Sequence, residues 1–87
     1  MTINIEDLKK KIIYRSSYRG TKEMDMLLRS FTKKYINTLN EKELIYLLNL
    51  LDTDDENLYK FNICDESSEK IENNNVSKLF KEFIFKN

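Results

Sequence analysis

Apolar residues recur every three to four positions along most of this 87-residue chain, the spacing of one buried face of an α-helix. This spacing predicts helices at about 5–17, 21–37, 41–51, 54–61 and 74–85, with an acidic loop at 62–73. We find no sustained strand-like alternation and no internal repeat. The predicted fold is therefore all-α, a compact single-domain bundle of five helices.

The second predicted helix has the clearest apolar stripe. Its positions follow i, i+3, i+4, i+7 and i+11 and are occupied by Met24, Leu27, Leu28, Phe31 and Tyr35. The buried faces predicted for three other helices are Ile5, Leu8, Ile12 and Ile13; Leu44, Leu47, Leu48 and Leu51; and Val76, Leu79, Phe80, Phe83 and Ile84. These stripes predict a core that is rich in leucine and phenylalanine.

Polar residues mark where several of these helices begin. Thr21 is a suitable N-cap for the second helix. Asn40 followed by Glu43 predicts a capping box for the third helix, and Thr53 followed by Glu56 predicts one for the fourth.

Gly20 is the only glycine, and the chain contains no proline. It lies between the first two predicted helices, beside Arg19. Because glycine adopts left-handed backbone angles at no steric cost, we expect Gly20 to form the hinge between these helices.

The composition excludes several kinds of chemistry. The chain has no histidine and a single cysteine, Cys64, so Cys/His zinc sites and Ser-His-Asp or Cys-His catalysis are excluded. The carboxylate runs at 54–56 and 65–66 lack the central glycine of a calcium loop, and capping and solubility explain them. We therefore expect no enzyme activity. Since no signal peptide or membrane span is visible, we expect a reduced cytoplasmic setting.

Charge is distributed unevenly along the sequence. Residues 1–36 hold nine Lys/Arg against four Asp/Glu, a balance of +5, and residues 37–87 hold six against eleven, a balance of −5. The basic half includes Tyr14 and Tyr18, and basic and aromatic residues together can bind nucleic acid. The third helix is acidic, however, and is a poor recognition helix. A basic-faced helical module that binds nucleic acid or another protein remains the alternative interpretation.

A protein-binding site is the other interpretation of the region around Gly20. On a helical wheel, Glu23 falls on the flank of the second helix, between its buried face and its far side. There Glu23 can contact a partner protein. It can equally pair with Arg19 at the surface, an interaction that contributes only about 0–1 kcal/mol.

The order of these residues resembles the SdhE family of FAD assembly factors. The family signature Arg-Gly-x-x-Glu reads Arg19-Gly20-Thr21-Lys22-Glu23 here, and the resemblance spans about residues 5–62. The other positions that carry it are Tyr14, Ser16, Asp25, Leu27, Leu28, Phe31, Asp54, Asp55, Leu58, Tyr59, Lys60 and Phe61.

This resemblance implies a factor that promotes covalent attachment of FAD to the flavoprotein subunit of succinate dehydrogenase, and possibly of fumarate reductase. It implies a monomer in the bacterial cytoplasm that holds no cofactor stably, and a histidine of the flavoprotein that attacks the flavin. Arg19 would bind a carboxylate or backbone oxygen of the partner, Gly20 would allow close approach and Glu23 would pair with a cation. The residues expected to bind the partner are Ser17, Tyr18, Arg19, Gly20, Glu23 and Asp25.

Overall fold

The computed structural model describes residues 4–64 and 70–83 of the chain. Within them it contains five α-helices and no strand: α1 (Ile5–Ser16), α2 (Lys22–Tyr35), α3 (Glu41–Leu51), α4 (Asp55–Asn62) and α5 (Asn75–Glu82). The prediction of an all-α five-helix fold is confirmed. Of the expected acidic loop at 62–73, residues 65–69 lie outside the described part of the chain.

The helix starts follow local capping chemistry. The Thr21 hydroxyl accepts the Met24 N–H at the start of α2, as expected. Asn40 and Glu43 form the predicted capping box of α3, because each side chain accepts the backbone N–H of the other residue, at 2.8 and 2.9 Å.

The box predicted for α4 is wrong. The N-cap is Asp54 rather than Thr53, and it makes no side-chain capping bond. Thr53 is instead buried in the connection between α3 and α4.

The helices pack around one core. α1 packs against α2 and α3, and α5 packs against α3 and α4. The ring of Phe31, which is fully buried, lies 5.1 Å from that of Phe80 and 5.3 Å from that of Phe83. The described core is Leu8, Ile12, Met24, Leu27, Leu28, Phe31, Ile36, Leu44, Leu47, Leu50, Leu51, Leu58, Phe61, Ile71, Val76 and Phe80.

Several apolar positions differ from the expected pattern. Ile13 lies on the outer side of α1 and is half exposed. In α3, Leu50 is buried where the stripe predicted Leu48, which is only partly buried. Phe83 is not helical: α5 ends at Glu82, and Phe83 is its C-cap with ψ 126°. Ile84 and Phe85 lie outside the described residues.

The end of α5 shows how a chain with so little glycine closes its helices. The carbonyls at a helix C-terminus need donors, and a glycine after the last turn commonly supplies the geometry for them. Here the side-chain amide of Asn62, at the end of α4, donates to the Phe80 and Phe83 carbonyls at 2.6 and 2.8 Å. A neighbouring helix therefore closes this end.

Candidate functional site

The turn between α1 and α2 contains most of the residues expected to bind a partner, but its backbone differs from the prediction. Gly20 does not adopt a positive φ; the residue in the left-handed region is Tyr18, with φ 57°. An L-residue there costs about 1–2 kcal/mol. Gly20 lies between α1 and α2 as expected, but the left-handed conformation expected of it is wrong and is adopted by Tyr18 instead.

The end of α1 is closed by hydroxyl groups and an arginine instead of a glycine. The Ser16 and Ser17 hydroxyls both donate to the Ile13 carbonyl, at 2.8 and 3.0 Å. Arg19 Nη1 donates to the Arg15 carbonyl at 2.9 Å. These bonds supply the donors that the last carbonyls of a helix lack.

Arg19 is the centre of the site, and its side chain points into the fold. Besides its bond to the end of α1, its guanidinium donates to the carbonyls of Leu51 and Thr53, at 2.9 and 3.0 Å, and to Asp55 Oδ1 at 2.8 Å. Four of its five N–H donors are thus used within the chain. α3 has no basic residue in its last turn, so Arg19 supplies the positive charge that its C-terminus favours.

Gly20 is placed by the same acidic residue. Its N–H donates to Asp55 Oδ2 at 2.7 Å, and a Cβ added to Gly20 would lie only 2.9 Å from that oxygen. Any larger residue here would require the Asp55 carboxylate to move away from the backbone. The alternative considered for Glu23, a surface pair with Arg19, does not occur, since the carboxylate partner of Arg19 is Asp55.

Arg19, Gly20 and Asp55 together form a clamp that fixes the turn. Two tyrosines lie on its outer side. Tyr14 and Tyr18 are 68% and 86% exposed, and their ring centroids lie 6.1 Å apart. They border an open groove of about 470 Å³ where the end of α1 meets the connection between α3 and α4. The groove is lined by Tyr14, Arg15, Ser17, Tyr18, Arg19, Gly20, Leu51, Asp52, Thr53, Asp54 and Asp55.

Charges in the groove are largely compensated. Arg15 pairs with Asp52, and both side chains remain about half exposed. The hydrogen bond from the Asn57 amide, at 2.6 Å, holds the pKa of Asp54 below its usual range. Asp54 is therefore ionised in the folded protein down to a lower pH than an ordinary aspartate.

The remaining residues of the expected set lie at the edge of the turn. Glu23 is exposed in the first turn of α2, and within the described residues no hydrogen bond or ion pair holds its carboxylate. Asp25 faces inward: its Oδ2 lies 3.6 Å from Arg29, and its Oδ1 is buried without a hydrogen-bond partner in the described part of the chain. Ser17 is partly buried at the base of the turn. Glu23 and Tyr18 are thus the expected side chains that face solvent.

Sequence reasoning missed the role of Asp55 and the two carbonyls that accept from Arg19. These groups come 32 to 36 positions after Arg19, so no local spacing connects them to it. The only signal in the sequence is the adjacent pair Asp54-Asp55, which is among the positions that carry the family resemblance.

No helix within residues 4–64 and 70–83 is long and apolar enough to cross a membrane. Those residues also contain no group of three or more cysteine or acidic side chains placed to hold a metal ion.

Comparison with known proteins identifies the family to which this arrangement belongs. The family described as "flavinator of succinate dehydrogenase" matches residues 10–84, which include the whole clamp. The chain belongs to this family. The resemblance on which the sequence interpretation rested is confirmed.

Relatives within the family occur in bacteria and in yeasts. The chain is 34% identical over 76 residues to the FAD assembly factor SdhE of Wigglesworthia glossinidia brevipalpis, a match that covers 87% of this chain and 90% of the relative. It is 45% identical over 49 residues to the mitochondrial succinate dehydrogenase assembly factor 2 of Scheffersomyces stipitis, which covers 56% of this chain and 33% of the yeast protein. No solved structure matches the chain significantly.

Proposed function

We propose that this protein promotes the covalent attachment of FAD to the flavoprotein subunit of succinate dehydrogenase, by docking its α1–α2 turn near the FAD site of that subunit. The observation that supports this most directly is the clamp. The Arg-Gly pair of the family signature is fixed to Asp55, and Tyr18 and Glu23 project from the turn that it holds. A rigid turn with exposed aromatic and acidic side chains suits recognition of a protein surface.

The chemistry of the bond to flavin belongs, in this proposal, to the partner. This chain has no histidine, so a histidine that attacks the flavin would come from the flavoprotein. The factor would act by holding the flavoprotein in a conformation that aligns this histidine with the flavin, and alignment lowers the barrier to bond formation. The protein would then be neither an enzyme nor a stable FAD carrier.

Five of the six predicted contact residues have a defined place in this proposal, and Asp25, whose Oδ1 is buried, has none. Glu23 would pair with a cation of the flavoprotein, Tyr18 would pack on its surface, and Ser17 and Gly20 would allow close approach of the backbone. Arg19 would serve through the turn that it anchors, since most of its donors are used internally. Action as a monomer, a cytoplasmic setting and a second client in fumarate reductase are further parts of the proposal.

The charges around the site favour a protein partner over nucleic acid. Arg15 and Arg19, two of the cations that suggested phosphate binding, are paired with Asp52 and Asp55. Nucleic-acid affinity depends on cations free to replace the counterions of phosphate groups. We therefore expect no steeply salt-dependent binding to DNA.

The proposal is tested by replacing Glu23 with alanine. Because Glu23 is exposed and unpaired in the described structure, Glu23→Ala should leave the thermal unfolding midpoint within a few degrees of the wild type. Covalent flavin on the flavoprotein, measured by fluorescence of the denatured subunit after co-expression, should fall at least fivefold.

The matched control is Glu41→Ala, which removes an exposed glutamate from the first turn of α3. It should leave flavinylation unchanged. Normal flavinylation with Glu23→Ala, or an equal loss with both variants, would contradict docking through this turn.

A further inference from the structure

Asp55 lies outside the Arg-Gly-x-x-Glu signature, yet both of its carboxylate oxygens are bound to that signature. Oδ1 accepts Arg19 Nε at 2.8 Å, and Oδ2 accepts the Gly20 N–H at 2.7 Å. We propose that Asp55 is a positioning residue for flavoprotein docking, which holds the turn at 17–20 in the conformation that the partner binds. This inference rests on the proposed function.

The turn needs such an anchor because its own conformation is unfavourable. Tyr18 occupies the left-handed region with its side chain 86% exposed, so little packing holds it there. Gly20 follows two residues later and has more backbone freedom than any other residue type. Released from Asp55, the segment would shift Tyr18 toward ordinary backbone angles and move its ring away from Tyr14.

The position of Asp55 makes it a stiff anchor. It is the first residue of α4, where the helix dipole favours a negative charge. Its side chain is 25% exposed and that of Arg19 is 13% exposed, so water competes less for their hydrogen bond than at an open surface. Arg19 in turn is fixed by the carbonyls of α1 and α3, so the carboxylate fastens the turn to three helices.

A turn fixed in this way binds its partner at a lower entropic cost than a mobile one. Loss of Asp55 should therefore weaken docking even though no atom of Asp55 touches the flavoprotein. This expectation separates a positioning residue from one that only stabilises the fold. Substituting a residue that only stabilises the fold lowers the melting temperature, but leaves the affinity measured at temperatures well below it unchanged.

The experiment compares Asp55→Ala, Asp55→Asn and Glu56→Gln with the wild type. Glu56 is the matched control: it neighbours Asp55, lies exposed in the same turn of α4, and its carboxylate contacts only Lys60 among the described residues. Affinity for the purified flavoprotein subunit is measured by calorimetry, and protection of the Gly20 amide by NMR hydrogen exchange.

We expect Asp55→Ala to weaken flavoprotein binding at least tenfold and to abolish protection of the Gly20 amide. Asp55→Asn should give an intermediate loss, because its amide oxygen can still accept one of the two hydrogen bonds. Glu56→Gln should bind within twofold of the wild type and keep the amide protected.

Three outcomes decide the matter. Loss of amide protection in Asp55→Ala with affinity within twofold of the wild type would overturn the positioning role. If Asp55→Ala does not fold, Asp55→Asn decides: a loss of several fold at an unchanged melting temperature supports the role, and unchanged affinity overturns it. A wild-type protein that fails to bind the flavoprotein overturns the proposed function and, with it, this inference.

Discussion

At the scale of single residues, Gly20 matters because it has no side chain, not because of its backbone conformation. The φ of Gly20 is one that any residue can adopt, but a Cβ there would meet the Asp55 carboxylate at 2.9 Å. A substitution of Gly20 would therefore displace the Asp55 carboxylate, and this dependence can be measured.

Gly20→Ala should have effects of opposite sign in two backgrounds. In the wild type, the new methyl group should displace the Asp55 carboxylate from its donors and lower the free energy of unfolding by about 1–2 kcal/mol. In an Asp55→Ala background the clash is absent, and alanine should stabilise by about 0.4–1 kcal/mol because it restricts the unfolded chain. Urea unfolding of the wild type, the two single variants and the double variant measures the effect of Gly20→Ala in each background. An equal loss of stability in the two backgrounds would contradict the close contact.

Tyr18 gives a second residue-scale prediction, in which stability and docking change in opposite directions. Tyr18→Gly should raise the free energy of unfolding by about 1 kcal/mol. Glycine removes the left-handed strain of the folded protein, and the greater entropy of the unfolded chain offsets only part of that stabilisation. Tyr18→Val, the paired control, should lower it, because a β-branched residue is poorly tolerated at positive φ. Both variants lack the ring and should weaken flavoprotein binding. Equal unfolding free energies for the two variants, measured in urea, would show that Tyr18 is not strained.

At the scale of helices, a start that local spacing predicts can be overridden by contacts with a distant part of the chain. Asn40 and Glu43 lie three positions apart, and their reciprocal capping bonds follow from that spacing alone. The same reasoning failed at α4, where Thr53 and Glu56 have the required spacing. There the Thr53 carbonyl accepts from Arg19 and the side chain is buried, so the helix begins one residue later, after Asp54.

Asn40→Ala should destabilise the protein by about 1 kcal/mol, because it removes the acceptor for the Glu43 N–H at the start of α3. Asn40→Asp is the control and should retain most of the stability, since aspartate is an equally good N-cap. Thermal unfolding followed by circular dichroism distinguishes the two. An unchanged melting temperature for Asn40→Ala would mean that the capping box contributes little.

The contrast between local spacing and long-range contacts explains how much of the site could be predicted from sequence. Apolar spacing was sufficient for the all-α fold, and the motif was sufficient to locate the turn. Spacing could not reveal that Arg19 points inward, because its acceptors follow it by more than 30 positions and come together only when α3 and α4 pack beside α1. Nor could it reveal the left-handed Tyr18, since glycine is the usual residue at such a position.

At the scale of the whole molecule, the aromatic core and the docking turn are physically separate. Phe31 packs between Tyr35, Phe80 and Phe83, with ring centroids 5.0 to 5.3 Å apart. This contact joins α2 to the end of α5, and none of the four rings lines the groove beside the α1–α2 turn. We therefore expect the cluster to affect stability and not docking itself.

Phe31→Ala should cost about 3–5 kcal/mol, as expected for a large buried aromatic side chain. Domains of this kind have only about 5–15 kcal/mol of stability in total. We therefore expect loss of the cooperative thermal transition together with loss of flavinylation, whereas Glu23→Ala loses only flavinylation. A sharp transition retained by Phe31→Ala would show that this cluster is not the main support of the fold.

The way in which α3 and α5 end has a consequence for how the protein tolerates change. Arg19 closes α3 from the α1–α2 turn, and Asn62 closes α5 from the end of α4, so neither helix is complete without a distant piece of chain. A peptide that contained α3 alone would leave its last carbonyls without these donors and should be largely unstructured in water. A substitution of Arg19 would then disturb the ends of α1 and α3 and the start of α4 at once, so that we expect it to impair docking and folding together.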